Sequence, residues 1–290
     1  MTRRRILFLF GMFLLWNIAL PSRSQADNLK LFVFAGQASM IGTGKAAELP
    51  NEHVNLRAPQ KDVLYAARDS KRNGEVLGST GSDANPWTTL RPLKETFGPE
   101  IAFGRTIVEN LPKEHIAIVK VAISGANLAE HWNPDAKEGP QLYSAMLGFV
   151  KDAIERREKE GDTVEIAGFI WFQGEADAHN EKMAATYREN LSRLLARVRT
   201  DFKTPELPIV AVRIGVRERD AGQFESEVRS AIEAVCGSEP HTAWISVDHL
   251  ALADGEHLDS TGQLEAGGRL AAAWLKLAGI PTPTAAAATQ

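Results

Sequence analysis

Apolar runs alternate with amphipathic stretches along most of this chain. Leu31-Phe32-Val33-Phe34 leads through Ala35-Gly36 into a small polar turn, Gln37-Ala38-Ser39, and then Met40. That is the pattern of a buried first strand ending where an α/β sheet places its loops. Further apolar runs, rich in β-branched residues, occur at residues 115–124 (HIAIVKVAIS), 164–172 (VEIAGFIWF), 207–214 (LPIVAVRI) and 242–247 (TAWISV). Helical periodicity fills the gaps. One helix opens at Pro99-Glu100, a second spans 140–160 and stops at Gly161, and a third spans 184–202 with Tyr187, Leu191, Leu194 and Val198 on one stripe. Two more cover 224–235 and 264–277. Five strands, each near-continuously apolar and separated by helices, predict a five-stranded parallel sheet covered on both faces, an α/β three-layer sandwich. Residues 43–99 are polar with little periodicity and read as an insertion or as short elements that the pattern does not place. No internal repeat or second domain emerges.

The two ends of the chain read differently. Arg3-Arg4-Arg5, an apolar stretch over residues 6–20 and small residues at Ser24 and Ala26 form a secretory signal over residues 1–26. Its apolar run is shorter than the ~20 residues that a membrane-spanning helix needs. The expectation is therefore export, secreted or periplasmic, with no stable membrane anchor after cleavage. Residues 27–280 form the folded domain and 281–290 a disordered Pro/Thr/Ala tail. Without the signal's four arginines, 29 basic residues face 37 acidic ones, moving the net charge from −4 to −8. That balance argues against nucleic acid or an anionic lipid surface as partner and is compatible with a neutral substrate. Cys236 is the sole cysteine, so no intramolecular disulfide forms; its apolar helical setting makes it a core residue.

The residues with chemical potential gather where strands are expected to end. Asp254-Gly255-Glu256-His257 places an acid three residues before a histidine, close enough on a turn to hold one ring nitrogen and leave the other as a base. His249 lies nearby but has no acid at that spacing. Trp171-Phe172-Gln173-Gly174-Glu175-Ala176-Asp177 follows the third strand. There a glutamine amide and a backbone N–H can face an oxyanion, and Glu175 or Asp177 can bind a sugar hydroxyl or brace His257. Glu175, Asp177 and His179 lack a recognised metal-ligand spacing, so no metal or cofactor is expected. Gly44-Lys45 lacks the first glycine and the final Ser/Thr of a phosphate-binding loop. Trp87, Trp132 and Trp171 are candidate stacking faces for sugar rings.

Ala35-Gly36-Gln37-Ala38-Ser39-Met40, Ser124-Gly125, the Trp171–Asp177 block and Asp254 to His257 together resemble the sialate O-acetylesterase and acetylxylan esterase family, carbohydrate esterase family six of the SGNH hydrolases. The resemblance spans residues ~30 to 275 and implies a flavodoxin-like SGNH fold and metal-free hydrolysis of O-acetyl esters on carbohydrates. Carried over residue by residue, it implies His257 as general base and Asp254 as its orienting acid. It makes the Ala38 N–H, Gly125 and Gln173 the oxyanion donors, with Gln37 and Glu175 at the substrate. The family's nucleophilic serine falls on Ala38, whose methyl group cannot attack a carbonyl. Ser39, standing where the family has asparagine, is the displaced candidate nucleophile. The alternative implied by Ala38 is a catalytically inactive, carbohydrate-binding relative.

Overall fold

The computed structural model describes residues 27–51, 55–71, 76–82, 84–139, 141–216 and 223–281. The targeting segment expected at 1–26 and all of the expected tail except Pro281 lie outside the described residues. The chain runs β1 (Asn28–Gly36), α1 (Ala38–Ile41), β2 (Gly44–Lys45), β3 (Gln60–Lys71), β4 (Val76–Ser79), β5 (Thr88–Leu90), β6 (Thr96–Phe97), α2 (Glu100–Asn110), β7 (His115–Ser124), α3 (Leu142–Glu160), β8 (Thr163–Phe172), α4 (Glu175–Ala178), α5 (Glu181–Asp201), β9 (Ile209–Arg213), α6 (Glu225–Ser238), β10 (Thr242–Ser246) and α7 (Ser260–Leu277).

The five strands expected from sequence are β1, β7, β8, β9 and β10. They lie parallel in the order β10-β9-β8-β1-β7, which is the flavodoxin-like order with its reversal between β1 and β8. The strand count is corrected upward. β3 pairs parallel with the outer side of β7, and β4 and β5 pair antiparallel with β3, giving eight strands in the main sheet among the described residues. β3 escaped the pattern because its apolar centre, Val63 to Ala67, is flanked by charged residues, and one of these, Asp69, is itself buried.

The alternation of side chains along β1 explains why its sequence is apolar throughout. Leu31, Val33 and Ala35 enter the core beneath α3, α5 and α6, while Phe32 and Phe34 enter the opposite core beneath α2 and α7. Both faces are covered, so neither set can be polar. Phe32 packs edge-on against Phe103 and Trp274, with ring centroids 5.1 and 4.7 Å away. Trp274 satisfies its indole N–H on the Ala167 carbonyl at 2.8 Å. The tryptophans offered as sugar platforms belong to the core instead. Trp132 and Trp171 are fully buried edge to face, and Trp87 donates its N–H to the Ala153 carbonyl. Cys236 is buried as expected.

A cluster of charges lies inside the core beside β7. Lys120, in the middle of β7, donates to Asp69 Oδ2, Glu100 Oε1 and the Ile41 carbonyl, each at 3.1 Å. The three charged side chains are at most 3 % exposed. Burial pushes the Asp69 carboxyl up to about 7; Lys120 pulls it down, and Glu100 adds to the rise.

Two outcomes follow for stability. Lys120→Met leaves buried carboxylates without their cation and lowers unfolding free energy at neutral pH by about 3–5 kcal/mol in urea titrations. Because the folded state holds the Asp69 proton to a higher pH than the unfolded chain does, its contribution is complete below about pH 4 and is lost as pH rises through about 7. Asp69→Asn should flatten that part of the stability–pH curve; an unchanged slope would rule out Asp69 as the titrating group.

Candidate active site

The reversal of strand order between β1 and β8 opens a crevice at their carboxyl ends, and close backbone approach determines what faces it. Gly36 ends β1 so near β8 that a Cβ there would stand 2.1 Å from the Phe172 carbonyl oxygen. The next residue, Gln37, donates its N–H to that same oxygen at 3.1 Å. The chain then makes one helical turn, α1, in which the N–H groups of Met40 and Ile41 both bond to the Gln37 carbonyl. Gly42, at φ +90°, ends the turn against Phe97 and Gly98 with no room for a side chain. Lys120 holds the Ile41 carbonyl from below.

This turn fixes the side chains of Ala38, Ser39 and Met40. Met40 points into the core and Ala38 is half-buried. Ser39 is 6 % exposed, and its hydroxyl lines a cavity of about 850 Å³ while donating to Glu175 Oε1 at the start of α4. Ala38 is the first residue of the turn, so its N–H has no acceptor within the helix. Gly125 follows β7 directly at φ +72°, with open space where a Cβ would stand.

The two glutamines have a different role from the one their positions suggested. The Gln173 side chain is fully buried, and its Nε2 donates to Asp177 Oδ2 (2.6 Å), the Ala126 carbonyl (3.1 Å) and Gln37 Oε1 (3.2 Å). An amide has two protons, so neither remains for an oxyanion. Gln37 also turns inward, its Oε1 accepting from Gln173 and from the Ala176 N–H. Asp177 completes the brace by accepting the N–H groups of Leu128 and Ala129 at 2.8 and 3.1 Å. Burial pushes its carboxyl up to about 6, with these donors and the Gln173 amide opposing the rise. Tyr187 closes the network through its hydroxyl, which donates to the Gln173 backbone carbonyl at 2.8 Å and lies 3.1 Å from Gln173 Oε1. Gln173, Gln37 and Asp177 thus tie together the loops after β1, β7 and β8.

The Asp254–His257 pair forms locally. Asp254 Oδ1 accepts the N–H groups of Glu256 and His257 at 2.9 and 2.7 Å, and Oδ2 meets His257 Nδ1 at 2.9 Å. These bonds lower the Asp254 carboxyl to about 2, the His257 N–H having the largest effect. Nε2 is the ring nitrogen left over. Gly255, Glu256 and Leu258 of this loop line the same cavity as Ser39 and Glu175. Among the described residues no hydrogen bond joins Ser39 to His257. His249, set aside in the sequence for want of a spaced acid, lines the cavity; the available signal was its place directly after β10, at a strand's carboxyl end.

The sequence pattern of the family described as carbohydrate esterase, sialic acid-specific acetylesterase, matches residues 28–276. A curated protein of Arabidopsis thaliana named "Probable carbohydrate esterase" is 28% identical over 258 residues, covering 85% of this chain and 90% of that one. A solved structure of an Arabidopsis thaliana protein superposes with a TM-score of 0.65 at 24% identity, covering 87% of this chain and 99% of that one. A carbohydrate acetylesterase from Xanthomonas citri superposes with a TM-score of 0.64 at 16% identity, over 88% of this chain and 57% of that one. The two structural likenesses are likenesses of fold. Since the family's pattern extends from β1 to the last turn of α7, this chain belongs to the carbohydrate esterase family of the sialic acid-specific acetylesterases.

Proposed function

We propose that this chain is an exported hydrolase that removes O-acetyl groups from a carbohydrate, with Ser39 as nucleophile and the Asp254–His257 pair as its base. The observation that carries this reading is the Ser39 hydroxyl held by Glu175 on a cavity that Gly255, Glu256 and Leu258, from the loop of the paired Asp254 and His257, also line. Glu175 orients the resting hydroxyl. As the ester enters, Ser39 Oγ attacks the acetyl carbonyl and His257 Nε2 takes the hydroxyl proton; hydrogen bonds of this kind often tighten only with substrate bound. The proton then passes to the leaving sugar oxygen as its bond to the acetyl carbon breaks. Water repeats the sequence on the acetyl-serine and releases acetate. The N–H groups of Ala38 and Gly125 serve the oxyanion. Asp254 keeps the imidazole oriented and stabilises its charged form.

A second reading rests on the residue at the family's nucleophile position, Ala38, and on the Ser39 hydroxyl being bonded to Glu175 rather than to His257. On it, the chain binds acetylated carbohydrate without hydrolysing it.

Turnover of 4-nitrophenyl acetate and of acetylated oligosaccharides by the chain from Asp27 onward separates the two. The first reading expects Ser39→Ala to lower kcat/KM at least ~1000-fold and His257→Ala by ~100-fold or more, with little gain from Ala38→Ser. Wild-type turnover no greater than that of His257→Ala, together with a large gain from Ala38→Ser, would establish the second.

A further inference from the structure

His249 is an expensive residue in an unusual place. The turn after β10 is closed by the Leu250 N–H on the Val247 carbonyl at 3.3 Å, and His249 occupies its third position at φ +64°. Glycine takes that conformation at no steric cost, whereas other residues pay for it. Lys94, Lys203 and His241 also have positive φ, but none of them lines the cavity; His249 does, with an exposed side chain.

The backbone beneath it is clamped. Asp248 accepts from Arg213 and from both terminal nitrogens of Arg229, the latter at 2.9 and 2.8 Å. Its N–H is held by Ser246 Oγ, which also accepts from Arg213 at 3.0 Å. Arg229 reaches the Ile214 carbonyl as well, so the ends of β9 and β10 and the helix α6 all converge on the residue before His249. Such a clamp is what holds a side chain in a strained conformation at a fixed place in a binding site.

From this geometry we infer that His249 binds the sugar side of the ester, its imidazole hydrogen-bonding a hydroxyl of the carbohydrate beside the acetylated position. An acetyl group fills only a small part of a cavity of about 850 Å³, which leaves most of it to the alcohol portion. A neutral imidazole offers one donor and one acceptor, and a sugar hydroxyl can meet either. The inference rests on the proposed esterase reading for its kinetic form, but not for its binding form.

The test compares wild type with His249→Gly, which relieves the backbone, and His249→Asn, which tolerates the turn and keeps a donor and an acceptor. Probes are O-acetylated xylo-oligosaccharides, an O-acetylated sialic acid methyl glycoside and 4-nitrophenyl acetate, which has no sugar. Expected for His249→Gly are a KM for an acetylated sugar raised about 5–10-fold, the loss of one hydrogen bond, kcat within about twofold, and unchanged kcat/KM on 4-nitrophenyl acetate. The melting temperature should be equal or higher, and His249→Asn should restore part of the lost affinity. Equal losses on all probes, or none on any, would overturn the proposal. If wild type shows no Ser39-dependent turnover, calorimetry with the same glycosides decides. A Kd weakened 5–10-fold by His249→Gly supports the sugar contact although the esterase reading has failed, and an unchanged Kd, or no binding by wild type, overturns it.

Discussion

The site depends on the contact between the ends of β1 and β8. Gly36 lies against the Phe172 carbonyl with no space for a methyl group, and Gln37 bonds to that oxygen. Any other residue at 36 would push the two strands apart at the reversal of strand order. Because they close here, the turn carrying Ser39 and the first turn of α4 carrying Glu175 share one wall of the crevice, although 136 residues separate them in the chain.

Two buried polar groups hold that contact in register, and they do so with different chemistry. On the α2/α7 side, Lys120 supports the end of the turn through the Ile41 carbonyl and is neutralised by Asp69 and Glu100. Near the strand ends, the carboxamides of Gln37 and Gln173 with Asp177 join three loops by hydrogen bonds. Both are costly to bury and costly to break, because a polar group left without its partner in a dry interior loses its full solvation. Residues of this kind restrict the geometry of a site more than they add to net stability.

The turn presents two consecutive residues, one half-buried and one facing the cavity with its hydroxyl on a carboxylate. The resemblance in sequence sets the family's serine against the first of these, Ala38, and the turn's one hydroxyl belongs to the second, Ser39. The same cavity carries the Asp254–His257 loop and the constrained His249. What lies between them is a space of about 850 Å³, far larger than an acetyl group.

The sequence by itself determined the layers, the five central strands and the local Asp254–His257 pair. Those depend on short-range periodicity and on a three-residue spacing, which are written in consecutive residues. It also marked Gly36-Gln37 and the Trp171–Asp177 block as the places where strands end. Only the tertiary structure decided the rest. β3 hides its strand pattern because Asp69, polar in sequence, is paid for by Lys120 from another strand. Gln173, polar at a strand end, has both amide protons taken by acceptors from three separate segments, and Trp132 and Trp171 are covered by each other. Which partner the Ser39 hydroxyl takes, and that His249 shares its cavity, depend on the packing of distant strand ends. A side chain's neighbours across the fold cannot be read from its neighbours along the chain.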